Sequence, residues 1–365
     1  MRIGIDAREL CGHVTGVGRY LSGLLTEWTA ESGARHHEFV LYAHDSIGVT
    51  LDTRQFALRV VAGRGGTRWE QQQLPAALRR DHLDVFFAPG YTAPLLVRIP
   101  LVVAIHDASF AAHPEWFPAR EGLRRRLLTR RVAAQARAVT TLSEFSKREL
   151  IDLLQVPEAR IHIIRPGVFY PGAAGLDERP RVPGLVPDAR VLYVGSILNR
   201  RHVPDLIRAF GQLARTHREV SLDLVGDNRS HPHEDIVATI ARQRANGRIR
   251  WHRYVTDAEL MDLYRGARAF AFLSEYEGLG LTPLEALAAG APPVLLDTPV
   301  ARESCGEAAL YVPRGDVGAV TDALGRVLFD EHTRRRLLDA APATLARYDW
   351  ARAARETLAV IEGAL

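Results

Sequence analysis

The sequence predicts an α/β protein of two domains, each built around a parallel β-sheet, and three observations carry this prediction. The chain has 365 residues, which suits two cores of ordinary size better than one. Short apolar runs alternate with amphipathic helical patterns along the chain, as in repeated β-α units. A stretch dense in Pro and Gly, residues 173–188, separates the halves and is typical of an interdomain linker.

The strand candidates are short apolar runs of the length expected for strands buried in a parallel sheet. In the first half they are Arg2–Asp6, Glu38–Ala43, Phe56–Val61, Val85–Ala88, Leu101–Ile105, Ala138–Leu142 and Ile161–Ile164. In the second half they are Val191–Val194, Ser221–Val225, Ile249–Arg253, Ala269–Leu273, Pro293–Leu296 and Ala309–Val312. We therefore expect Rossmann-like domains over residues 1–172 and 189–346, followed by a closing helix over residues 347–365.

The composition is that of a soluble globular protein, with 47% apolar and 25% charged residues. The net charge of +4 is modest and carried almost entirely by Arg, so it gives no reason to expect a nucleic-acid partner. Cys11 and Cys305 are far apart, which favours a reducing compartment over a disulfide framework. The sequence starts directly on a strand pattern and has no apolar run near the ~20 residues of a membrane span. We expect a protein of the cytoplasm or the inner face of the membrane.

The stretch Ser274 to Val294 organises the second half. It reads S-E-Y-E-G-L-G-L-T-P-L-E-A-L-A-A-G-A-P-P-V and follows a predicted buried strand. Gly278 and Gly280 form a turn that leads into a helix. Such a turn points backbone N–H groups and the positive end of a helix dipole at a ligand, an arrangement that favours phosphate.

The helix that follows this turn has recognisable ends. Thr282 suits the N-cap, Pro283 suits the first helical position, and Gly290 suits the residue that ends the helix. Glu277 and Glu285 bracket the turn. Taken alone, Thr282 and Glu285 could simply form a capping box, and Glu277 could be a solvated loop residue.

The complete run resembles the E-x7-E signature of retaining glycosyltransferases of family 4, which have the GT-B fold. Glu277 and Glu285 match the two acids, and Gly280 matches the loop glycine. The resemblance implies two Rossmann-like domains that face each other across a cleft, with a C-terminal helix that crosses back to the first domain. It also implies a metal-independent transfer from a nucleotide sugar.

The resemblance further implies a set of donor contacts in the second domain. Glu277 would lie near the donor sugar and Glu285 would bond the ribose. The turn at Val255 would lie beside the nucleobase and contact it through the backbone. The remaining donor-binding residues of this stretch would be Gly278, Leu279, Gly280, Leu281 and Thr282.

A second Gly-rich loop, T-G-V-G-R-Y, leads into a helix near the N-terminus. A dinucleotide-binding site would require a third Gly where Leu21 stands, and glycines directly after the strand. The loop is therefore either a flexible connection or a phosphate-binding element. The family resemblance implies that Gly16 and Gly18 approach the donor diphosphate.

His106 and Asp107 follow a predicted strand, at the edge of the sheet where α/β proteins bind ligands. A lone His at such a position is commonly a hydrogen-bonded structural residue. The family resemblance instead implies that His106 contacts hydroxyls of the donor sugar, with Asp107 beside it. The segment R-W-E-Q-Q-Q-L-P also matches polysaccharide-type members of the family, and we expect Trp69 and Gln71 to be architectural or on the acceptor side.

The segment S-I-L-N-R-R-H, which starts at Ser196, follows the first strand of the second half. Family 4 normally has R-K-N where this chain has Arg200, Arg201 and His202, and the cationic pair holds the departing diphosphate. Arg201 preserves the positive charge of the Lys and can bind phosphate oxygens in a bidentate manner. Otherwise the two arginines would be a surface pair of no special function.

A basic helical pattern extends from Glu121 to Arg137. Its cations are Arg124, Arg125, Arg126, Arg130 and Arg131. Such a pattern usually marks a solvated helix face. It also suits contact with an anionic membrane, where each basic residue adds about 1 kcal/mol.

The family resemblance therefore implies retaining transfer of a hexose from a nucleoside-diphosphate sugar, GDP-mannose or a UDP-sugar being favoured. The acceptor would be a hydroxyl of a glycan, a lipid-linked compound or a small molecule, as in bacterial mannosyltransferase-like enzymes of polysaccharide or glycolipid synthesis. No cofactor is expected, because we find no acidic D-x-D site for a metal ion in a plausible loop, and Arg200, Arg201 and the two Gly-rich loops would replace the metal. The catalytic residues would be His106, Arg200, Arg201 and Glu277. Two alternatives are an NAD-dependent dehydrogenase and a non-catalytic partner subunit that binds a sugar nucleotide.

Overall fold

The computed structural model describes residues 1–12, 14, 16–49, 51–168, 189–245 and 247–365. The chain forms two compact units. The first contains Met1–Gly167 and Tyr348–Leu365, and the second contains Val168–Arg347. The predicted linker, residues 173–188, lies outside the described residues.

The first unit is built on a seven-stranded sheet in the part of the chain that the structure describes. Its strands are β1 (Arg2–Asp6), β2 (Glu38–Ala43), β3 (Phe56–Val60), β4 (Val85–Ala88), β5 (Leu101–Ala104), β6 (Ala138–Thr141) and β7 (Ile161–Ile163). All neighbouring strands are parallel, in the order β3-β2-β1-β4-β5-β6-β7. The order reverses between β1 and β4, so a ligand crevice is expected at the carboxyl ends of these two strands.

Helices surround this sheet. They are α1 (Val17–Ala30), α2 (Gly66–Arg68), α3 (Leu74–Leu78), α4 (Ser109–Ala112), α5 (Ala119–Gln135) and α6 (Glu144–Leu154). Trp69–Gln73, between α2 and α3, is a π-helical segment. Short 3-10 turns occur at Arg8–Leu10, Ala34–His36, Pro114–Trp116 and Glu158–Arg160.

The second unit contains a six-stranded parallel sheet in the described part of the chain. Its strands are β8 (Arg190–Val194), β9 (Ser221–Val225), β10 (Ile249–His252), β11 (Ala269–Phe272), β12 (Pro293–Leu296) and β13 (Leu310–Val312). The order is β10-β9-β8-β11-β12-β13, which reverses between β8 and β11. Both sheets thus have the doubly wound arrangement that the sequence predicts.

The helices that follow β8 in the chain are α7 (Val203–Thr216), α8 (Ile236–Arg242), α9 (Asp257–Gly266), α10 (Leu281–Ala288), α11 (Pro299–Cys305), α12 (Val317–Phe329), α13 (Glu331–Asp339), α14 (Ala341–Leu345) and α15 (Trp350–Glu362). Asn199–Arg201 and Gly306–Ala308 are short 3-10 turns. The last helix, α15, belongs to the first unit. There the indole Nε1 of Trp28 in α1 donates to the Ala354 carbonyl at 3.0 Å. The chain end therefore packs on the helices of the first sheet.

The predicted strands are confirmed, with several ends one residue shorter than predicted, as at Val60, Ala104 and Phe272. The next residue is still buried at Ile105 and Leu273, which explains the longer apolar runs in the sequence. Burial on both faces makes the central parallel strands, such as β4, β5 and β11, continuous in apolar residues. This pattern made the strands easy to recognise.

Candidate functional site

The candidate site of the second unit lies at the carboxyl ends of β8 and β11, the two central strands. The loop after β8 carries Ser196 and the 3-10 turn Asn199–Arg201, and the loop after β11 carries Glu277. Two segments that are far apart in sequence are therefore placed side by side, because β8 and β11 pair directly. This is the edge at which open α/β sheets bind ligands.

Arg201 is held at this edge by three contacts. Its Nε donates to Oε1 of Glu277 at 2.7 Å, and its Nη1 donates to the Ser196 carbonyl at 3.0 Å. The guanidinium also lies 4.9 Å from the centre of the Phe272 ring, a cation–π distance. The side chain is 14% exposed. An edge of a fixed cation therefore remains available to a ligand.

Gly195 makes room for this guanidinium. A Cβ atom at Gly195 would lie 2.7 Å from Nη1 of Arg201. The backbone φ of Gly195 is 147°, a value that side chains rarely allow. The glycine at the end of β8 is thus required both by its conformation and by the space that Arg201 occupies.

Glu277 is an ionised carboxylate within the same cluster. Burial alone would raise its pKa, but the charges of Arg201 and Arg200 and the hydrogen bonds from Arg201 and Ser274 outweigh burial and lower the pKa. Ser274 Oγ lies 2.8 Å from Oε1, the oxygen that already accepts from Arg201. The other oxygen, Oε2, accepts no hydrogen bond from a described residue and is not enclosed.

Arg200 and His202 flank Arg201. The Arg200 carbonyl accepts from the backbone N–H of Glu275 at 2.9 Å, which ties the two loops together. His202, which replaces the usual Asn of the family pattern, adopts a left-handed conformation with φ 45° that Asn also tolerates. Its Nε2 lies 3.5 Å from Oε2 of Glu275, and the Arg314 guanidinium lies 2.6 Å from the same oxygen.

The start of α10 corrects one prediction. Gly280, not Thr282, is the N-cap, in a left-handed conformation with φ 88°. Pro283 is consequently the third helical residue rather than the first, and the expected capping box is not formed. Gly290 has φ 83° just beyond the helix, so the prediction that it ends α10 is confirmed. The Gly-rich turn still places the N-terminus of α10 at the carboxyl edge of the sheet.

Glu285 lies inside α10 and is 6% exposed. The hydroxyl of Tyr264 in α9 donates to its Oε2 at 2.9 Å, a partner that no local sequence pattern indicates. Val255, the residue predicted to approach the nucleobase, is half-buried in the loop after β10. That loop ends in a capping box between Thr256 and Glu259, so its position relative to α9 is fixed.

In the first unit, His106 lies just beyond β5 and is 8% exposed. Its Nε2 lies 2.7 Å from the Pro89 carbonyl, which can only accept, so Nε2 carries the proton and Nδ1 is an acceptor. Tyr20 packs edge-on against the imidazole at 4.8 Å. Burial lowers the pKa of His106, against the opposing effects of the Pro89 carbonyl and Asp107. The ring is therefore neutral at physiological pH.

Asp107 is also at this edge. Its Oδ2 accepts from the Tyr91 hydroxyl at 2.6 Å, and its Oδ1 accepts from the Ser109 backbone N–H at 2.8 Å. The ring of Tyr91 lies 5.5 Å from that of His106. The loop that follows β4 therefore supports both members of the His-Asp pair.

Gly16 and Gly18 have different environments. Gly16 is exposed at the N-terminus of α1 with φ 44°, and a Cβ atom there would meet nothing within 4 Å. Gly18 is buried, and a Cβ atom there would lie 2.3 Å from the Glu9 carbonyl oxygen. Gly16 is thus accessible to a ligand, whereas the structure accounts for Gly18 by close packing of α1 on the preceding 3-10 turn.

A buried charged cluster that the sequence did not predict lies at the same edge of the first sheet. Arg8 contacts both Asp6 and Glu70, with 2.7 Å between Nη2 and Oδ2 of Asp6. The hydroxyl of Thr92 donates to Oε1 of Glu70 at 2.6 Å. Gln71, predicted to be architectural or on the acceptor side, donates to Glu70 Oε2 at 2.9 Å. The pairing of charges 62 residues apart could not be read from local sequence.

The basic pattern predicted from Glu121 onward is α5. Its leucines Leu123 and Leu127 are 49% and 47% exposed. They line a groove of about 440 Å³ together with Arg120, Arg124, Arg131, Leu128 and Thr67. The surface of α5 thus combines apolar and cationic side chains. Within the described ranges, no helix has the length and apolar character needed to cross a membrane.

Two family models match the chain. The model described as Glycosyltransferase Family 4 matches residues 14–170, and the model described as Glycosyl transferases group 1 matches residues 178–344. O-antigen chain mannosyltransferase B of Escherichia coli is 27% identical over 290 residues, which cover 76% of this chain and 74% of that protein. The matches extend over both units.

Solved structures resemble the whole chain. Sucrose-phosphate synthase from Thermosynechococcus elongatus has a TM-score of 0.78 at 17% identity, covering 99% of this chain and 98% of that one. HepE of Anabaena in complex with UDP and glucose has a TM-score of 0.75 at 18% identity, covering 100% of both chains. At these identities the likeness shows the fold alone.

Proposed function

Because the chain belongs to the glycosyltransferases of GT-B fold that resemble family 4, and is therefore an enzyme, we propose that it transfers a hexose from a nucleoside-diphosphate sugar to a hydroxyl, with retention and without a metal ion. The observation that carries the proposal is the fixed Arg201, which is paired with Glu277 and is 14% exposed at this edge. It lies at the central edge of the second sheet, where the Gly-rich turn starts α10.

Arg200, Arg201 and the start of α10 would stabilise the departing nucleoside diphosphate. Negative charge grows on this group as its bond to the sugar breaks, and cations and N–H groups fixed beforehand stabilise that charge. The contacts of Arg201 to Glu277 and Ser196 hold the cation without reorganisation. Its planar guanidinium supplies the charge that a divalent ion supplies in metal-dependent transferases.

Glu277, His106 and Asp107 would act on the donor sugar. The open Oε2 of Glu277 can accept a hydrogen bond from a sugar hydroxyl and can stabilise positive charge at the anomeric carbon. The neutral His106 can accept a hydrogen bond from a hydroxyl of the donor sugar at Nδ1, because Nε2 donates to Pro89. Retention would follow if the acceptor hydroxyl attacks the face that the diphosphate leaves and passes its proton to the departing phosphate oxygen. The ion pair with Arg201 lowers the nucleophilicity of the Glu277 carboxylate, which supports same-face attack by the acceptor over a covalent intermediate on Glu277.

Glu285 would bond the ribose, and the backbone at Val255 would contact the base. The donor would also approach Gly16 and, through the backbone of the Gly-rich turn, the residues Gly278, Leu279, Gly280, Leu281 and Thr282. A mannose donor, for which we propose GDP-mannose, is favoured by the name O-antigen chain mannosyltransferase B, and a UDP-sugar by the UDP complex of the Anabaena protein. The words O-antigen chain in the first name support a role in polysaccharide synthesis.

The acceptor would be a glycan, a lipid-linked compound or a small molecule, and α5 would place the enzyme on an anionic membrane at the inner face. Leu123 and Leu127 are one helical turn apart and exposed, which suits shallow insertion between lipids. The neighbouring arginines complement anionic headgroups, each adding about 1 kcal/mol. Apolar and cationic side chains side by side on one exposed face support this membrane contact over a purely solvated face.

A panel of GDP-, UDP- and ADP-sugars tests the proposal. The melting temperature should rise with one class of nucleotide sugar, because a ligand that binds only the folded state stabilises it. The same compound should then release nucleoside diphosphate and transfer its sugar with retained anomeric configuration. A rise with NAD instead, or inversion at the anomeric carbon, would contradict the proposal.

A further inference from the structure

The cluster around Arg8 has no role in the donor chemistry described above, yet it lies at the edge where the first sheet is expected to bind ligands. Asp6 ends β1, and Arg8 follows in the next 3-10 turn. Glu70 reaches the cluster from the π-helical segment, and Thr92 reaches it from the loop after β4. β1 and β4 are the strands between which the order of the sheet reverses.

Only part of Arg8 is used by the protein. Its Nη2 contacts both Asp6 and Glu70, and its guanidinium lies 5.9 Å from the centre of the Trp69 ring. Nε and Nη1 have no hydrogen-bond partner among the described residues and are not enclosed. The Arg8 side chain is 11% exposed, whereas those of Asp6 and Glu70 are 3% and 1% exposed. The accessible part of the cluster is therefore a fixed set of N–H donors.

The donors of Arg8 adjoin the His106 site through two consecutive residues. Thr92 bonds Glu70, and Tyr91 bonds Asp107 and packs beside His106. A group bound at Arg8 would therefore lie on the same side of the sheet as a sugar bound at His106.

The charge of the cluster selects the kind of ligand. Two carboxylates contact one guanidinium, so the cluster has a net charge of −1 when all three groups are ionised. Burial and the nearby Glu70 and Glu9 raise the pKa of Asp6 to about 6 even though Arg8 lowers it, which shows how poorly the site accommodates negative charge. A phosphate would be a third anion on one cation. A sugar hydroxyl or ring oxygen can accept from Arg8 without this penalty.

We propose that Arg8 binds the acceptor through Nε and Nη1, that Asp6 and Glu70 position it, and that the acceptor group held there is an uncharged sugar rather than a sugar phosphate. This inference rests on the proposed glycosyl transfer. It adds to that function a residue that distinguishes uncharged sugar acceptors from sugar phosphates.

The test uses the full chain saturated with UDP or GDP, whichever raises its melting temperature more. Three uncharged glycosides are compared with three sugar phosphates, first as added ligands and then as acceptors. The glycosides are methyl α-mannoside, methyl α-glucoside and methyl α-galactoside, and the phosphates are mannose 6-phosphate, glucose 6-phosphate and galactose 6-phosphate. We expect a further rise in melting temperature with at least one uncharged glycoside and a weaker rise with its phosphate. A preference for the phosphates, or no response to any uncharged glycoside, would overturn the proposal.

Arg8→Lys is the informative variant, since an ammonium can still pair with the buried carboxylates but lacks the additional fixed donors. We expect its KM for the uncharged acceptor to rise about tenfold, from the loss of one or two hydrogen bonds, while its KM for the donor changes little. Glu70→Gln should also raise the KM for the acceptor, because it frees Arg8 to move.

Arg250→Lys is the matched control, because Arg250 forms a bidentate pair with the buried Asp223 in the second unit. It should reproduce any general cost of losing an arginine–carboxylate pair without changing the acceptor KM. An unchanged acceptor KM in Arg8→Lys, or an equal loss for donor and acceptor, would remove Arg8 from the acceptor site. The proposed function would survive that result, whereas absence of nucleotide-sugar binding by the unmodified chain would refute the function itself.

Discussion

Arg201 and Glu277, which are 76 residues apart in sequence, form a charged hydrogen bond of 2.7 Å between Nε and Oε1. The pairing means that the two residues act as a unit: the carboxylate fixes the cation, and the cation keeps the carboxylate ionised. Both side chains remain partly exposed, at 14% for the arginine and 17% for the glutamate, so each can still meet a ligand. The effects of changing either residue should therefore be similar and not additive.

Glu277→Ala should reduce turnover at least about 100-fold, because it removes a contact to the sugar and releases Arg201. The turnover of Glu277→Gln should lie between those of wild type and Glu277→Ala, since its amide oxygen can still accept from Arg201. Initial rates of nucleoside diphosphate release measure this. Glu331→Ala is the control, because Glu331 is also paired with an arginine, Arg268 at 2.9 Å, but is 59% exposed. Near-normal turnover in Glu277→Ala would remove Glu277 from the site.

Gly195→Ala should impair catalysis by displacing the guanidinium, because its Cβ atom would lie 2.7 Å from Nη1 of Arg201. We expect a loss of turnover of about tenfold or more, together with a lower melting temperature from the unfavourable φ. Gly325→Ala in α12 is the control, since its nearest contact is 3.7 Å away and alanine favours a helix. Equal activity in Gly195→Ala and Gly325→Ala would show that Arg201 does not need its observed position.

Asp6 should make the first unit less stable as the pH rises. Its folded-state pKa, about 6, lies above the ordinary value of 3.8 because burial disfavours its charge. The contribution of Asp6 to the free energy of unfolding is thus fully present below about pH 4 and is lost as the pH rises through about 6. Relative to Asp6→Asn, the wild type should lose on the order of 2 kcal/mol in the free energy of unfolding between pH 4 and 7.

Denaturant titrations at several pH values would measure this difference. Asp223 is the matched contrast. Burial raises its pKa, but hydrogen bonds from Arg250 and His252 outweigh burial and lower it. Asp223 should therefore stabilise the fold above its unfolded pKa and lose that contribution as the pH falls. If stability depended on pH with the same sign through Asp6 and through Asp223, the opposite directions of their pKa shifts would be contradicted.

The groove on α5 should bind anionic lipid. Vesicles that contain phosphatidylglycerol should sediment the protein, whereas vesicles of phosphatidylcholine should not, because the arginines require anionic headgroups. Replacing Leu123 and Leu127 by Ser should weaken binding several-fold by removing the inserted apolar groups. Leu96→Ser is the control, since Leu96 is 82% exposed in a loop outside this groove. Equal binding to both kinds of vesicle would exclude the proposal.

The sheets were predictable because burial on both faces gives parallel strands a continuous apolar pattern, as in Phe270 and Ala271 of β11. The start of α10 was predicted two residues late. Thr282 and Pro283 have strong local preferences for a helix start, but Gly280 alone can adopt the left-handed conformation that the turn requires. The geometry of the turn, and not local helix propensity, therefore determines where α10 begins.

Partnerships between distant charges were not predictable from one sequence. Glu70 is followed by three glutamines and looks solvated, yet it is fully buried beside Arg8. Tyr264 gives no local indication that its hydroxyl reaches Glu285. Family resemblance identified Arg201 and Glu277 separately, but only the pairing of β8 with β11 brings the two into contact.

The decisive measurement is the rate of sugar transfer by wild type and Arg201→Ala, each assayed in EDTA and in Mg²⁺. Arg201 is proposed to replace a metal ion as the charge that stabilises the leaving diphosphate. A charge pair at 4 Å contributes about 4 kcal/mol at an effective dielectric of 20, so its loss should cost at least about 100-fold. We predict equal wild-type rates in EDTA and Mg²⁺, and a loss of this size in Arg201→Ala. A wild type that is inactive in EDTA, or an Arg201→Ala variant of near-normal rate, would contradict the proposed role of Arg201.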